Sequence, residues 1–164
     1  MKSLSHPLLA LCLLLSTAFA QAANPMPRTI APGLHAGGQP DEAQLRALAA
    51  QGVATVIDLR GVDEDRGFAE AELVRQLGLR YVSLPVAGAE DVTAANAQAL
   101  RQALDASHGP VLLHCASGNR VGALVALMAH ARGAGDEDAL AEGRAAGLKS
   151  LEPTVRAQLQ VGRR

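Results

Sequence analysis

One stretch does most to decide what this chain can fold into: Val111-Leu112-Leu113-His114-Cys115-Ala116-Ser117-Gly118-Asn119-Arg120-Val121-Gly122. Its apolar start is too short for a helix and follows Gly109-Pro110, which marks a buried strand. A helix-compatible run from Val121 to Arg132 follows after one tight turn containing Gly118. A strand, a loop and a helix N-terminus therefore meet within a few residues. There, successive loop N–H groups and the helix dipole converge on one concavity suited to an oxyanion. Arg120 adds a planar guanidinium that matches two oxygens at once. Cys115 opens the loop, and the same positive field favours a thiolate and hence a nucleophile.

The rest of the chain alternates strands with helices around that unit. Gln21 to Ala31, with Pro25 and Pro27, reads as an extended lead-in, and 32–164 as a single domain. Leu34 to Gly37 suits a short edge strand, and Gln39-Pro40 turns the chain into a helix from about Asp41 to Gln51. Val53 to Leu59 is β-branched and typical of a strand buried in a parallel sheet. Gly61 to Gly67, carrying Asp63, Glu64, Asp65 and Arg66, reads as a solvated loop. Phe68 to Leu77 follows as a helix, then a strand from Arg80 to Leu84, a loop from Pro85 to Val92, and an Ala-rich helix capped by Thr93 and running to about Ser107. After Gly133 to Gly135, helices are expected from Asp136 to Ala146 and from Glu152 to Gln160. This order implies an α/β fold with a mainly parallel central sheet flanked by helices. Ligands in such folds bind at the carboxyl ends of the strands, where Cys115, Asp58-Leu59-Arg60 and Pro85-Val86 fall.

The N-terminus carries an address. Lys2, the apolar run from Pro7 to Leu15 and the small residues up to Ala18-Phe19-Ala20 form a secretory signal peptide, residues 1–20, cut after Ala20. The run falls short of the ~20 residues that span a bilayer. Leu11, a large residue before Cys12, argues against lipoprotein processing. Cleavage removes Lys2 from the fifteen basic residues, leaving fourteen against sixteen acidic ones and no basic run. Such a charge gives no sign of binding to nucleic acid or to a membrane surface, and neither is expected as a partner. It also leaves Cys115 as the one cysteine, a thiol with no intramolecular disulfide partner in an oxidising periplasmic or secreted setting.

His114-Cys115-x-x-Gly118-x-Arg120 resembles the active-site loop of the cysteine-dependent phosphatases, and more narrowly of the bacterial phosphatase-like domains described as beta-lactamase-hydrolase-like. Gly38-Gln39-Pro40, Gly52-Val53-x-x-Val56-Ile57-Asp58-Leu59-Arg60 and Leu84-Pro85-Val86 are similar in kind and order to that family's opening segments. The resemblance implies a dual-specificity-phosphatase-like fold, a nucleophilic Cys115 and an anion-binding loop of Ala116, Ser117, Gly118, Asn119 and Arg120. It implies that His114 hydrogen-bonds the loop, and that the general acid comes from the loop after Leu84, where Asp91 and Glu90 are the only acids. Solvated charges ahead of the Thr93 cap are the reading their setting favours slightly over a catalytic one. Two positions depart from the family. Four residues rather than five separate Cys115 from Arg120, a length similar to that of rhodanese sulfurtransferases. Val121 stands where phosphatases usually carry Ser or Thr.

Several roles stay open on the sequence alone. Asp58 sits at a strand end as a second candidate acid or as an acceptor for loop N–H groups. Arg60 either adds positive charge at the mouth or pairs with Asp63 or Glu64. His35, His108 and His130 lack neighbours at ligand spacing, so no metal and no cofactor are expected. With Phe68 and Tyr81 the only aromatic residues after cleavage, a shallow site for a small anionic substrate fits better than a deep aromatic pocket. Three functions follow: hydrolysis of a phosphate ester through phosphocysteine, transfer of sulfane sulfur through a Cys115 persulfide, and anion binding without catalysis.

Overall fold

In the computed structural model, which describes residues 25–161, five strands form one sheet. They are β1 (Arg28–Ala31), β2 (Leu34–Gly37), β3 (Thr55–Asp58), β4 (Arg80–Ser83) and β5 (Val111–His114), in the spatial order β1-β2-β5-β3-β4. Only β1 is antiparallel to its neighbour. The expected signal peptide, residues 1–20, lies outside the described residues, as do residues 21–24 and 162–164.

Two expectations about the sheet are corrected. Arg28–Ala31, assigned to the lead-in, pairs with β2 and takes the edge, so Leu34–Gly37 is an interior strand that runs parallel to β5. The cause is the Pro32-Gly33 turn, with Gly33 at a φ of 71°, which folds the chain back into a hairpin. Arg28 and Thr29 suit the outer position because an exposed, polar strand blunts the sheet edge.

Strand alternation assigns the helices to two faces. Val56 and Leu112 point to one side, where Leu45 and Leu48 of α1 (Glu42–Ala50) and Leu73 and Val74 of α2 (Glu70–Gln76) cover them. Ile57 and Leu113 point to the other, beneath α3 (Ala94–Asp105), α4 (Asn119–Ala131), α5 (Asp136–Ala146) and α6 (Glu152–Val161). The cap expected at Thr93 is present, and a second one, not expected, is found at Asp41. Asp41 and Gln44 form a reciprocal capping box on α1, and the Thr93 side chain accepts from the Asn96 N–H on α3. No helix among the described residues is long and apolar enough to cross a membrane.

Helix α4 occupies the centre of the larger layer, and every residue from Val121 to Ala129 is buried. It begins at Asn119, two residues earlier than the apolar pattern indicates, because Gly118 adopts the left-handed conformation with a φ of 85° and lets the helix start at once. Arg120 therefore sits in the first helical turn.

Candidate active site

The end of β5 delivers Cys115 to the carboxyl edge of the sheet with its side chain fully buried. Gly118 N–H points back at the thiol, 3.2 Å from Sγ. From outside, the chain after β2 clamps the loop: Gln39 N–H donates to the Ala116 carbonyl at 3.1 Å, and Cys115 N–H faces the Gly37 carbonyl at 3.4 Å. Ala116 and Ser117 are exposed at the rim. Asn119 turns away from the cradle. Its Oδ1 accepts from Lys149 N–H at 2.8 Å and its Nδ2 donates to Ser150 Oγ at 2.7 Å, so it anchors the loop to the α5–α6 connection. Val121, where a hydroxyl would be expected by resemblance, is completely buried in the core.

Arg120 is held by a partner the sequence did not single out. Glu64 accepts from both terminal nitrogens, at 2.8 Å for Nη2, and the Val86 carbonyl takes a second Nη1 hydrogen at 2.8 Å. A guanidinium has five N–H donors. Three are committed, which leaves Nε–H and the adjacent Nη2–H, the side-on fork that binds two oxygens of one anion. Hydrogen bonding to Arg120, above all, holds the Glu64 carboxyl down at about 2, with Gly61 N–H and Arg60 acting in the same direction against burial. Conversely Glu64, and after it the nearby Cys115 sulfur, raise Arg120 above its ordinary value despite burial. The segment from Gly61 to Gly67 is thus no solvated loop throughout. Asp63 and Asp65 are exposed, but Glu64 turns inward, with Gly61 N–H at 2.7 Å from its Oε1.

Behind Glu64 lies a continuous polar network. Arg60 donates to Glu64 at 3.1 Å, to Gln39 Oε1 at 2.6 Å and to the Asp65 carbonyl at 2.7 Å, which makes it a buttress and not a charge at the mouth. Gln39 Nε2 passes on to Glu70 Oε2 at 2.9 Å, and Glu70 Oε1 lies 2.8 Å from His114 Nε2. Asp58 accepts from Arg60 N–H at 2.7 Å, Arg66 Nε at 2.8 Å and Tyr81 OH at 2.7 Å. Burial first, then Asp58, pushes the Tyr81 phenol well above its usual value. Asp58 is an acceptor of loop N–H groups, the plainer of its two expected roles.

Asp58, Glu70 and His114 are buried and each offers one ligand atom within 4.8 Å of the others, a set that sequence spacing did not reveal. Both Asp58 oxygens already take donors, one of them charged. Glu70 Oε1 and His114 Nε2 approach to 2.8 Å without a formed hydrogen bond, and His114 Nδ1 has no partner either, so the hydrogen bond from His114 to the loop that the resemblance implies is not made. Asp58 is thus committed to its own donors rather than free for a cation. Asp91 lies in a 3₁₀ turn, Ala89–Asp91, where its Oδ2 accepts from Ala87 N–H at 2.7 Å. The same loop is tied to Arg120 through Val86.

The profile of the family described as DSP-PTPase phosphatase fused to NAD+ kinase matches residues 24–156. A "Beta-lactamase hydrolase-like protein" of Xylella fastidiosa is 36% identical over 94 residues, covering 55% of this chain and 22% of that protein. One of Agrobacterium fabrum is 33% identical over 87 residues, covering 51% of this chain and 20% of that protein. The chain thus corresponds to about a fifth of these relatives. The crystal structure of Pseudomonas aeruginosa TpbA in complex with pTyr superposes with a TM-score of 0.66 at 25% identity, covering 89% of this chain and 91% of that one.

Proposed function

The chain belongs to the family described as DSP-PTPase phosphatase fused to NAD+ kinase, and we propose that it is an exported cysteine-dependent phosphatase acting on a small phosphate ester. The observation that carries this reading is the side-on fork of Arg120 left open beside Cys115 while Glu64 and Val86 take the other donors. Cys115 attacks phosphorus, a sulfur–phosphorus bond forms, and the ester oxygen departs with a proton from Asp91. Arg120 and the loop N–H groups stabilise the charge on the non-bridging oxygens, the kind of preorganised contact worth ~10²-fold or more in rate for each donor. Water then attacks phosphocysteine and releases phosphate and the thiolate. The TpbA complex with pTyr supports a phosphate ester of modest size as substrate.

The test uses mature protein under reducing conditions with p-nitrophenyl phosphate in one assay and thiosulfate plus cyanide in another, beside Cys115→Ser. Phosphate release that disappears in the variant is the expected result. Thiocyanate formation without phosphate release would replace the proposal by sulfur transfer, the reaction that the four residues between Cys115 and Arg120 bring to mind. Export predicts a mature N-terminus at Gln21, and mass spectrometry of the native host's protein showing residues 1–20 retained would refute it.

A further inference from the structure

We propose that the concavity beside the cysteine loop is a second anion subsite, which selects small substrates carrying a second phosphate. This rests on the phosphatase reading and narrows its substrate class. The concavity measures about 340 Å³ and is walled by Gly37 and Gly38 after β2, by Ser117 and Gly118 of the loop, and by Arg28 and Lys149. It borders the cysteine loop, since the Gly118 that lines it also donates to Cys115 Sγ at 3.2 Å.

Charge is what sets this concavity apart. Eight arginines among the described residues are paired with carboxylates within 4.0 Å. Arg28, Arg75, Arg80 and Lys149 are not, and of these only Arg28 and Lys149 share one concavity, which no carboxylate lines. In a chain of formal net charge −1, two exposed cations without a carboxylate partner on one concavity form a local positive field. Together they match the charge of a phosphate dianion, and the exposed Ser117 on the same concavity offers a neutral donor. Their placement is not incidental. Lys149 N–H is fastened to Asn119 Oδ1 at 2.8 Å, and Arg28 lies opposite Ala36 in the β1–β2 register, so both cations are fixed to the elements that shape the loop.

Isothermal titration of Cys115→Ser protein, which cannot turn over, with fructose 1,6-bisphosphate and fructose 6-phosphate tests the subsite. The bisphosphate is expected to bind about tenfold more tightly, as charge-assisted hydrogen bonds of this kind predict. Adding Arg28→Ala and Lys149→Ala should bring the two affinities together, while Lys149→Arg should keep them apart. Both cations are at the surface, so the variants are expected to fold, and a thermal scan checks it. Equal affinities in the parent protein, or a preference that survives the double substitution, would overturn the subsite. Because binding is read without turnover, failure of the p-nitrophenyl phosphate assay would sink the phosphatase reading and leave this measurement standing.

Discussion

Glu64 decides which hydrogens of Arg120 are left for a substrate, because a bidentate carboxylate on the terminal nitrogens turns the Nε edge towards the cradle. Glu64→Ala should therefore lower kcat/KM for p-nitrophenyl phosphate by about tenfold or more, the usual cost of misplacing a charge-stabilising donor. Glu64→Gln, which keeps one acceptor, should recover part of the loss; equal rates in all three proteins would mean that Arg120 needs no such support. The same residue has a pH signature. Its carboxyl lies at about 2 in the fold against 4.5 for an ordinary glutamate. A depressed carboxyl contributes stability above the ordinary value and loses it as pH falls through the folded one. The melting temperature of Glu64→Gln should thus fall below that of the native protein at pH 7, with the gap closing between pH 4.5 and 2. A gap that persists at pH 2 would contradict the ion pair. Glu64 was not legible in the sequence, since Asp63-Glu64-Asp65-Arg66 has the composition of a solvated turn. Its direction is set by Arg120, 56 residues away. Cys115 and Arg120 were legible because a strand end, a glycine and a helix start fix them within six positions.

At the scale of elements, α4 and α5 approach so closely that their backbones touch. A Cβ built on Gly122 would stand 2.0 Å from Leu148 N, and one on Gly143 would stand 2.7 Å from Gly122 O. Replacing Gly122 by alanine gains up to ~1 kcal/mol of helix propensity. The clash is with backbone rather than with a side chain that can rotate away, so overpacking of ~3 kcal/mol prevails. Gly122→Ala should therefore lose ~2 kcal/mol, read by thermal or denaturant unfolding; a neutral or stabilised variant would show that the helices have room to separate. Helix α4 itself was readable from its unbroken apolar run, and β3 and β5 from their β-branched or apolar residues. The hairpin of β1 and β2 was missed because β1 is exposed and has no burial pattern to betray it. Only its pairing with β2 makes it a strand, and the Pro32-Gly33 turn was the one local sign.

Across the whole molecule, the polar network runs from Arg120 through Glu64, Arg60, Gln39, Glu70 and His114, and Asp58 joins it to Arg66 and Tyr81. It ties the cysteine loop to β3, β4 and α2, segments that share no local pattern, and for that reason the sequence predicted the layers and the strand–loop–helix unit around Cys115 but not what holds the floor beneath it. Glu70 is the member on which that floor depends. It is almost completely buried, takes a hydrogen bond from Gln39 and faces His114 at 2.8 Å. Removing one partner of a buried charged network leaves the others desolvated and unpaired, a loss of ~3 kcal/mol or more, whereas a substitution that preserves shape and hydrogen bonding costs less. Glu70→Ala should accordingly lower the melting temperature by ~10 °C in a domain of this size, and Glu70→Gln by clearly less. Phosphatase activity of whatever folded protein remains should fall with Glu70→Ala as well, because His114 adjoins Cys115 in the chain and Gln39 holds the loop at Ala116. Equal melting temperatures for the alanine and glutamine variants would mean that Glu70 fills space and that the network is not what secures the floor.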